Sequence, residues 1–157
     1  MVIQVDTREK TRAIQKILKT FEENQIQYVS HSMVIGDYQD LCNGTLVIDR
    51  KQNLGELCGN LCSTQKKKDG TKYNRFREEL KNAKKFGIKV ILLVEDDNIN
   101  NLEEVKNWSS KYTKVKGITL FKAINTMLME TEKYNFEIQF CKKEETGKKI
   151  IEILKGK

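Results

Sequence analysis

One apolar segment constrains the fold of this chain more than any other. Residues 88–95 read IKVILLVE, a near-continuous apolar run of strand length. A strand of this kind is buried on both faces, so it belongs at the centre of a sheet that carries helices on both sides. The segments around it alternate between strand and helix patterns. We therefore predict an α/β fold, in which a mixed central β-sheet is flanked by α-helices.

The stretch from Gly36 to Lys51, GDYQDLCNGTLVIDRK, predicts a β-hairpin. Residues 33–35 are strand-like and lead in, Asn43-Gly44 is a strong turn signal, and the β-branched run 45–48 leads out. Side chains alternate between the faces of a strand, so Asp49 and Lys51 are predicted to point the same way. The hairpin therefore sets a carboxylate beside an ammonium group.

The register of this hairpin decides whether a second carboxylate, that of Asp37, joins them. A plain two-residue turn at Asn43-Gly44 would set Asp37 opposite Arg50 and leave Asp49 on the other face. The two carboxylates converge only if the loop has an odd length or one strand contains a β-bulge. We predict such an irregularity, with Gly44 supplying a positive φ.

The residue types in the hairpin suit phosphate chemistry. Carboxylates are hard-oxygen ligands for Mg²⁺ or Mn²⁺, and such ions need only one or two of them besides waters and substrate phosphates. Asp37 and Asp49 are the candidate ligands. The lysine two residues further on, Lys51, could orient an attacking water or stabilise negative charge that develops on a phosphate.

Three motifs occur in a fixed order along the chain: residues 5–9 (VDTRE), 36–38 (GDY) and 48–51 (IDRK). In this order they resemble the nuclease domain of the XPF-type structure-specific endonucleases, members of the PD-(D/E)XK superfamily. The resemblance implies a restriction-endonuclease-like fold and Mg²⁺-dependent (or Mn²⁺-dependent) hydrolysis of DNA at branched or single-strand/duplex junctions. The catalytic residues that it implies are Asp37, Asp49, Lys51, Asp6 and Glu9. Asp49 replaces the glutamate usual in the family, and a further acid of the family pattern is matched only by Glu56, one place late.

The first of these motifs has two interpretations. Asp6 and Glu9 could bind or orient a second metal, or hold the water network of the first. Alternatively, Asp6 or Thr7 caps the helix predicted over residues 12–24, and Glu9 lies in its first turn, where it complements the helix dipole.

DNA contacts are predicted from basic residues near these motifs: Arg8, Arg50, Lys66, Lys67, Lys68 and Arg75. The net charge of +7 favours a polyanionic partner. Lys66 to Lys68 lie in a polar segment after the hairpin, and they are either a phosphate contact or a solvated charge run. In related nucleases a polar residue four positions after an arginine lies near the site. Glu79 holds that position after Arg75 and could join the metal shell or simply form an ion pair with Arg75.

Composition excludes several other classes of protein. No apolar run approaches the roughly 20 residues of a membrane span, so no membrane contact is expected, and the absence of a signal-peptide pattern favours the cytoplasm. The four cysteines lack a C-x-x-C pair and the single histidine, His31, reads as structural, so a zinc site is not expected. The cysteines are interpreted as small buried apolar residues, and Trp108 as part of the core.

The length of 157 residues fits one nuclease domain over residues 1–157, without the helix-hairpin-helix module common in XPF-type enzymes. DNA would then be gripped with the help of a homodimer through the C-terminal helices, or of a partner protein. Two other functions stay open: a non-catalytic nucleic-acid-binding subunit that retains the fold, and a restriction-type or junction-resolving nuclease with the same motif.

Overall fold

A six-stranded mixed β-sheet forms the centre of the protein in the computed structural model, which describes residues 1–156. The strands in chain order are β1 (Val2–Val5), β2 (Gln27–Ser30), β3 (Tyr38–Asp40), β4 (Asn43–Lys51), β5 (Gln65–Lys66), β6 (Lys72–Tyr73), β7 (Lys89–Glu95) and β8 (Phe136–Cys141). The six-stranded sheet has the order β2-β1-β3-β4-β7-β8, while β5 and β6 form a separate hairpin. Only β3 runs antiparallel to its neighbours, which confirms the predicted mixed sheet.

Helices cover both faces of this sheet. They are α1 (Gln15–Glu23), α2 (Leu54–Cys62), α3 (Arg75–Lys85), α4 (Gly117–Met129) and α5 (Thr146–Leu154), with 3-10 turns at Thr11–Ile14, Glu103–Asn107 and Lys143–Glu145. The predicted helix over residues 12–24 therefore begins as a 3-10 turn. Among residues 1–156, no helix combines the length and apolar character that crossing a bilayer requires.

Strand β7 separates two cores, although it is the fifth of the six strands and not at the centre of the sheet as predicted. Val90, Leu92 and Val94 face a core closed by α2, α3 and α4. Ile91 and Leu93 face the opposite core, closed by α1 and α5. Each of these side chains is buried, and each contributes about 1.5–3 kcal/mol relative to an exposed position. The apolar side chains of β7 thus pack against helices on both faces of the sheet, as the sequence pattern predicts.

The β3–β4 hairpin differs from the prediction in three local features. Residues 33–35 are not a strand, and the turn is at Leu41 and Cys42 rather than at Asn43-Gly44, which lie in β4. Gly44 does not have a positive φ; Gly36, before β3, does. The predicted irregularity is present, because the register shifts between Gln39 and Asp40. The Asp40 side chain accepts a hydrogen bond from the backbone N–H of Cys42 at 3.1 Å, which favours the earlier turn.

The polar segment after α2 contains the β5–β6 hairpin. The side-chain amide of Asn74 donates to the carbonyl oxygens of Asn60, Leu61 and Ser63, so it joins the end of α2 to the start of α3. Asp69 and Gly70 form the turn between β5 and β6, with Gly70 at φ +86°. Two of the four cysteines, Cys42 and Cys62, are exposed, so the prediction that all four are buried is wrong for these two.

Candidate active site

The three residues of the predicted site, Asp37, Asp49 and Lys51, line one groove at the end of β4. The groove has a volume of about 300 Å³. We refer to it as the acidic groove, because carboxylates dominate its wall. Its lining consists of Arg8, Glu9, Val34, Gly36, Asp37, Asp49, Arg50, Lys51, Gln52, Glu56 and Glu79.

The register of the β3–β4 hairpin brings Asp37 next to Asp49. Tyr38 pairs with Ile48 and Gln39 with Val47. Continued by one residue, this register sets Asp37 across from Asp49, on the same face of the sheet. The backbone confirms the alignment, since the Asp37 N–H donates to the Ile48 carbonyl at 2.7 Å. The convergence that the sequence analysis required is therefore present.

Gly36 makes this close pairing possible. Its φ of +77° lies in the left-handed region, which disfavours other residues. A Cβ at this position would lie 3.0 Å from the Cβ of Val47 and 3.1 Å from the carbonyl oxygen of Ile48. The chain can therefore approach β4 closely enough to deliver Asp37 only with glycine at position 36.

Negative charge accumulates around Asp37. Burial, followed by the nearby charges of Asp49 and Glu9, raises the pKa of Asp37 to about 8. One opposing contact is the backbone N–H of Arg50, which donates to Asp37 Oδ2 at 2.8 Å. A carboxyl group with this pKa is protonated over much of the neutral range. A bound cation would relieve the repulsion and favour the ionised form.

Lys51 lies between the acidic groove and a neighbouring cavity. Its Nζ is 3.2 Å from Asp49 Oδ1, and its side chain is only 8% exposed. The ammonium also lies 4.8 Å from the centre of the Phe76 ring, in a cation–π contact. These two contacts hold the ammonium beside the carboxylate pair, as the alternation along β4 predicts.

Arg50 points to the opposite face of the sheet and is buried there. Its guanidinium donates to both carboxylate oxygens of Glu9, at 2.6 and 3.0 Å, and to Glu95 at 2.8 Å. The Arg50 side chain is 4% exposed. This burial is inconsistent with the predicted contact of Arg50 with DNA. Both carboxylate oxygens of Glu9 accept hydrogen bonds from Arg50, so Glu9 forms an ion pair at the wall of the acidic groove. It precedes the first helical turn, which begins at Thr11, so the predicted position inside that turn is wrong.

Asp6 is fully buried and does not line the acidic groove. Its Oδ1 accepts from the Met33 backbone N–H at 2.8 Å, and its Oδ2 accepts from Arg8 Nε at 2.5 Å. Both interpretations of Asp6 are corrected by this geometry. The two oxygens are already used by protein donors, and the residue before the first helical turn is Lys10, which makes no side-chain cap. Asp6 instead joins the end of β1 to the segment before β3.

Arg8 and Arg75 lie near a second cavity of about 320 Å³, which shares Arg8, Lys51 and Glu79 with the acidic groove. Arg8 is held at its rim by Asp6 and by a 3.0 Å bond from Nη2 to the Met33 carbonyl. The hydrogen bond with Asp6 raises the pKa of Arg8. Arg75 is 70% exposed, and its Nε is 3.6 Å from Glu79 Oε1. The geometry therefore favours the ion-pair alternative for Glu79.

Glu56 and the lysine run have different positions relative to the site. Glu56 lines the acidic groove, but its Oε2 accepts from the Gln52 backbone N–H at 2.8 Å, which stabilises the start of α2. Lys66, Lys67 and Lys68 are exposed on the β5–β6 hairpin and line neither cavity. The Nζ of Lys67 lies 5.4 Å from the centre of the Tyr73 ring.

Sequence reasoning missed Asn60, which lines the second cavity. Its Oδ1 is buried and has no hydrogen-bond partner among the described residues. Asn60 follows Glu56 by one helical turn, so a helical projection of α2 would have placed both on one face.

The donor set fits a hard divalent cation. Within residues 1–156, no group of three or more His, Cys, Asp or Glu side chains is arranged to hold a metal ion. Asp37 and Asp49 are two carboxylates, and Mg²⁺ usually keeps several waters and binds through one or two carboxylates plus phosphate oxygens. Burial raises the pKa of Asp37, and the charges of Asp49 and Glu9 raise it further, so a cation between the two carboxylates would favour the ionised form of Asp37.

Comparison with known proteins agrees with this fold. Two solved structures of XPF from Aeropyrum pernix, one of them in complex with DNA, match with a TM-score of 0.67 each, at 16% and 17% identity. Each match covers 98% of this chain, which spans 64% and 63% of those two chains. No curated protein sequence matches. The model of the ERCC4 domain family matches residues 5–154. This match covers nearly the whole sequence, so the chain belongs to the ERCC4 domain family.

Proposed function

We propose that this chain is a metal-dependent endonuclease domain that hydrolyses phosphodiester bonds of DNA at branched or single-strand/duplex junctions. The observation that carries the proposal is the convergence of Asp37, Asp49 and Lys51 on one groove. Membership of the ERCC4 domain family and the likeness of the fold to XPF from Aeropyrum pernix support it.

Asp37 and Asp49 would hold Mg²⁺ or Mn²⁺. Such an ion supplies a nucleophile at neutral pH and neutralises charge on the phosphate. Because Asp37 must be ionised to act as a ligand, it gives up its proton on binding. The contact from the Arg50 backbone N–H then keeps its Oδ2 oriented.

Lys51 would bind a non-bridging oxygen of the scissile phosphate. Its ammonium is held by Asp49 and by the face of Phe76, so it needs little reorganisation when negative charge develops there. Arg8, exposed at the rim of the same groove, would bind an adjacent phosphate. Lys66, Lys67 and Lys68, outside the groove, would contact the DNA backbone more distantly. Arg50 supports the site through Glu9 and Glu95 instead of touching DNA.

A cleavage assay with labelled flap, fork, four-way junction and linear duplex substrates tests the proposal. Asp49→Asn and Lys51→Ala are each expected to slow cleavage by about a hundredfold or more, the effect of losing roughly 3 kcal/mol of transition-state stabilisation. Chelation should stop cleavage, and Ca²⁺ should bind without supporting turnover, since it coordinates more loosely.

Matched controls lie at the far end of the same sheet. Asp40→Asn and Lys89→Ala change the same residue types outside both cavities and should cleave at the wild-type rate. If Lys51→Ala cleaves as fast as Lys89→Ala, the assigned chemistry is wrong and the non-catalytic DNA-binding subunit takes its place. Equal cleavage of linear and branched substrates would favour the restriction-type alternative.

We also propose that the described sheet and its two cores act as one nuclease domain, and that the domain assembles through α4. Of the two C-terminal helices, α5 has its apolar side chains buried against α1, whereas α4 leaves Ile118 and Met129 exposed. Light scattering should show a dimer that Met129→Lys dissociates. A monomer at micromolar concentration that cleaves fully without added protein would contradict this.

A further inference from the structure

A cleft separate from the acidic groove lies between α2 and the segment 109–116, which we call the lysine loop. Its volume is about 600 Å³. Cys58, Gly59 and Cys62 line it on the helix side, and Trp108 and Tyr112 on the other. No acidic side chain of the described residues lines this cleft, whereas carboxylates dominate the acidic groove. No lysine or arginine of the described residues lines the cleft either, so positive charge near it comes from the lysines of the lysine loop.

The chain segment that contains the lysine loop carries charge of one sign. Residues 105–129 contain five lysines and neither aspartate nor glutamate. Three of these, Lys111, Lys114 and Lys116, are exposed in the lysine loop and make no ion pair within residues 1–156. Clustered lysines without counter-charges repel one another, and they attract a polyanion.

Aromatic side chains accompany these lysines. Tyr112 is 86% exposed, and the Nζ of Lys111 lies 5.2 Å from the centre of its ring. Trp108 is half-buried, so it packs against the core and also lines the cleft. Aromatic faces interspersed with cations are what proteins use to hold unpaired nucleotides, because every base can stack and every phosphate can be neutralised.

The lysine loop is anchored at its ends. A Cβ on Gly117 would lie 2.5 Å from the carbonyl oxygen of Trp108, so the start of α4 packs directly on the residue that precedes the loop. The Val115 side chain packs against the core. A loop with close, fixed ends presents its side chains in a defined place, which lowers the entropy cost of binding.

The linings of the cleft and of the acidic groove approach each other at the start of α2. Gln52 lines the acidic groove and the next residue, Asn53, lines the cleft. The intervening helix α2 has nine residues and is about 13 Å long. A strand that leaves the acidic groove around the start of α2 would reach the cleft within a few nucleotides.

We propose that this cleft binds an unpaired DNA strand, with a base stacked on Tyr112 or Trp108 and the backbone phosphates on Lys111, Lys114 and Lys116. The inference rests on the proposed function for its choice of DNA. It adds a site for the single-stranded arm of a junction substrate.

Trp108 provides the direct readout, because it is the one tryptophan of the chain. The experiment titrates the Asp49→Asn protein with oligo(dT) of about 12 nucleotides in EDTA, which prevents cleavage. We expect saturable quenching of tryptophan fluorescence that weakens with salt. Changing the three loop lysines to alanine should lower the slope of log K against log salt by about 2.

Two matched pairs of variants locate the binding. A Cβ on Gly59 would meet no atom within 4 Å, so Gly59→Leu projects into open space in the cleft without disturbing the fold. Gly59→Leu should weaken binding at least tenfold, while Gly59→Ala, which leaves the cleft open, should not. Tyr112→Ala should weaken binding about tenfold, the effect of losing one stacked base, and Tyr112→Phe should retain it.

Several results would overturn the inference. Oligo(dT) binding that leaves Trp108 fluorescence unchanged, or equal affinity of the Gly59→Leu and Gly59→Ala proteins, would place the strand elsewhere. A Trp108 signal that depends on protein concentration without DNA would show that a second copy of the chain fills the cleft. If the wild-type protein cleaves junction DNA but oligo(dT) does not quench Trp108 fluorescence, only this inference is refuted. If oligo(dT) quenches the fluorescence but the wild-type protein does not cleave DNA, only the proposed function is refuted.

Discussion

Arg50→Met is expected to destabilise the fold strongly, because Arg50 compensates two buried carboxylates. Its guanidinium makes three hydrogen bonds of 2.6 to 3.0 Å to Glu9 and Glu95, whose side chains are 11% and 5% exposed. Removal of one partner from a buried ion pair costs about 3–5 kcal/mol. Domains are stable by only about 5–15 kcal/mol, so this variant should lose about a fifth or more of its free energy of unfolding.

Urea denaturation followed by circular dichroism measures this loss, with Arg75→Met as the control. Arg75 is 70% exposed and pairs only with Glu79 at 3.6 Å, so its replacement should change the free energy of unfolding by less than about 0.5 kcal/mol.

A different result would refute the structural role of Arg50. If Arg50→Met and Arg75→Met unfold at the same urea concentration with the same slope, the buried network does not stabilise the fold. If the folded Arg50→Met protein binds DNA more weakly than the wild-type protein, the DNA contact predicted from sequence would be restored.

Three further predictions concern the acidic groove and its surroundings. Without metal, the wild-type protein should lose stability as pH rises from about 4 to about 8. In this range Asp37 ionises readily in the unfolded state but not in the folded state, where its pKa is raised to about 8. Asp37→Asn should remove this dependence of stability on pH, and its free energy of unfolding at pH 8.5 should exceed that of the wild type by about 2 kcal/mol or more in thermal melts with EDTA. If the stability of both proteins falls equally with pH, Asp37 is not the group responsible. Gly36→Ala should cost at least about 1 kcal/mol and slow cleavage, through its positive φ and the 3.0 Å approach to Val47, and wild-type values of both would contradict the geometry. A triple variant with alanine in place of Lys66, Lys67 and Lys68 should bind duplex DNA more weakly, with a smaller salt dependence, in an anisotropy titration. Its cleavage rate at saturating DNA should equal that of the wild type, and a lower rate would place these lysines in the active site.

Much of the site could be predicted from sequence because the motifs are short and lie on one strand. The alternation along β4 places Asp49 and Lys51 on one face whatever the rest of the chain does. The family resemblance led to Asp37 as their companion. The roles of Asp6 and Arg50 could not be obtained in this way, because a carboxylate or guanidinium at a strand end looks the same whether it faces a ligand or a buried partner.

The cleft beside α2 escaped sequence reasoning for a related reason. Trp108 was interpreted as core, which is half correct, since its ring packs inward and also lines the cleft. Lys111, Lys114 and Lys116 are separated by other residues and do not form a continuous run, so the sequence shows no charge cluster there. Only the packing of the lysine loop against α2 brings the aromatic residues and the lysines to one place.

The sequence by itself determined the layered fold, since the apolar run of β7 needs cover on both faces, and it determined the order of the chemical groups along the chain. Tertiary structure alone decided which of those groups meet. The register shift after Gln39 brings Asp37 to Asp49, and the pairing of β4 with β7 brings Arg50 to Glu95. Hydrophobic periodicity is a local property that each segment carries with it, whereas strand register and ion pairing depend on residues far apart in sequence and form only when the sheet closes.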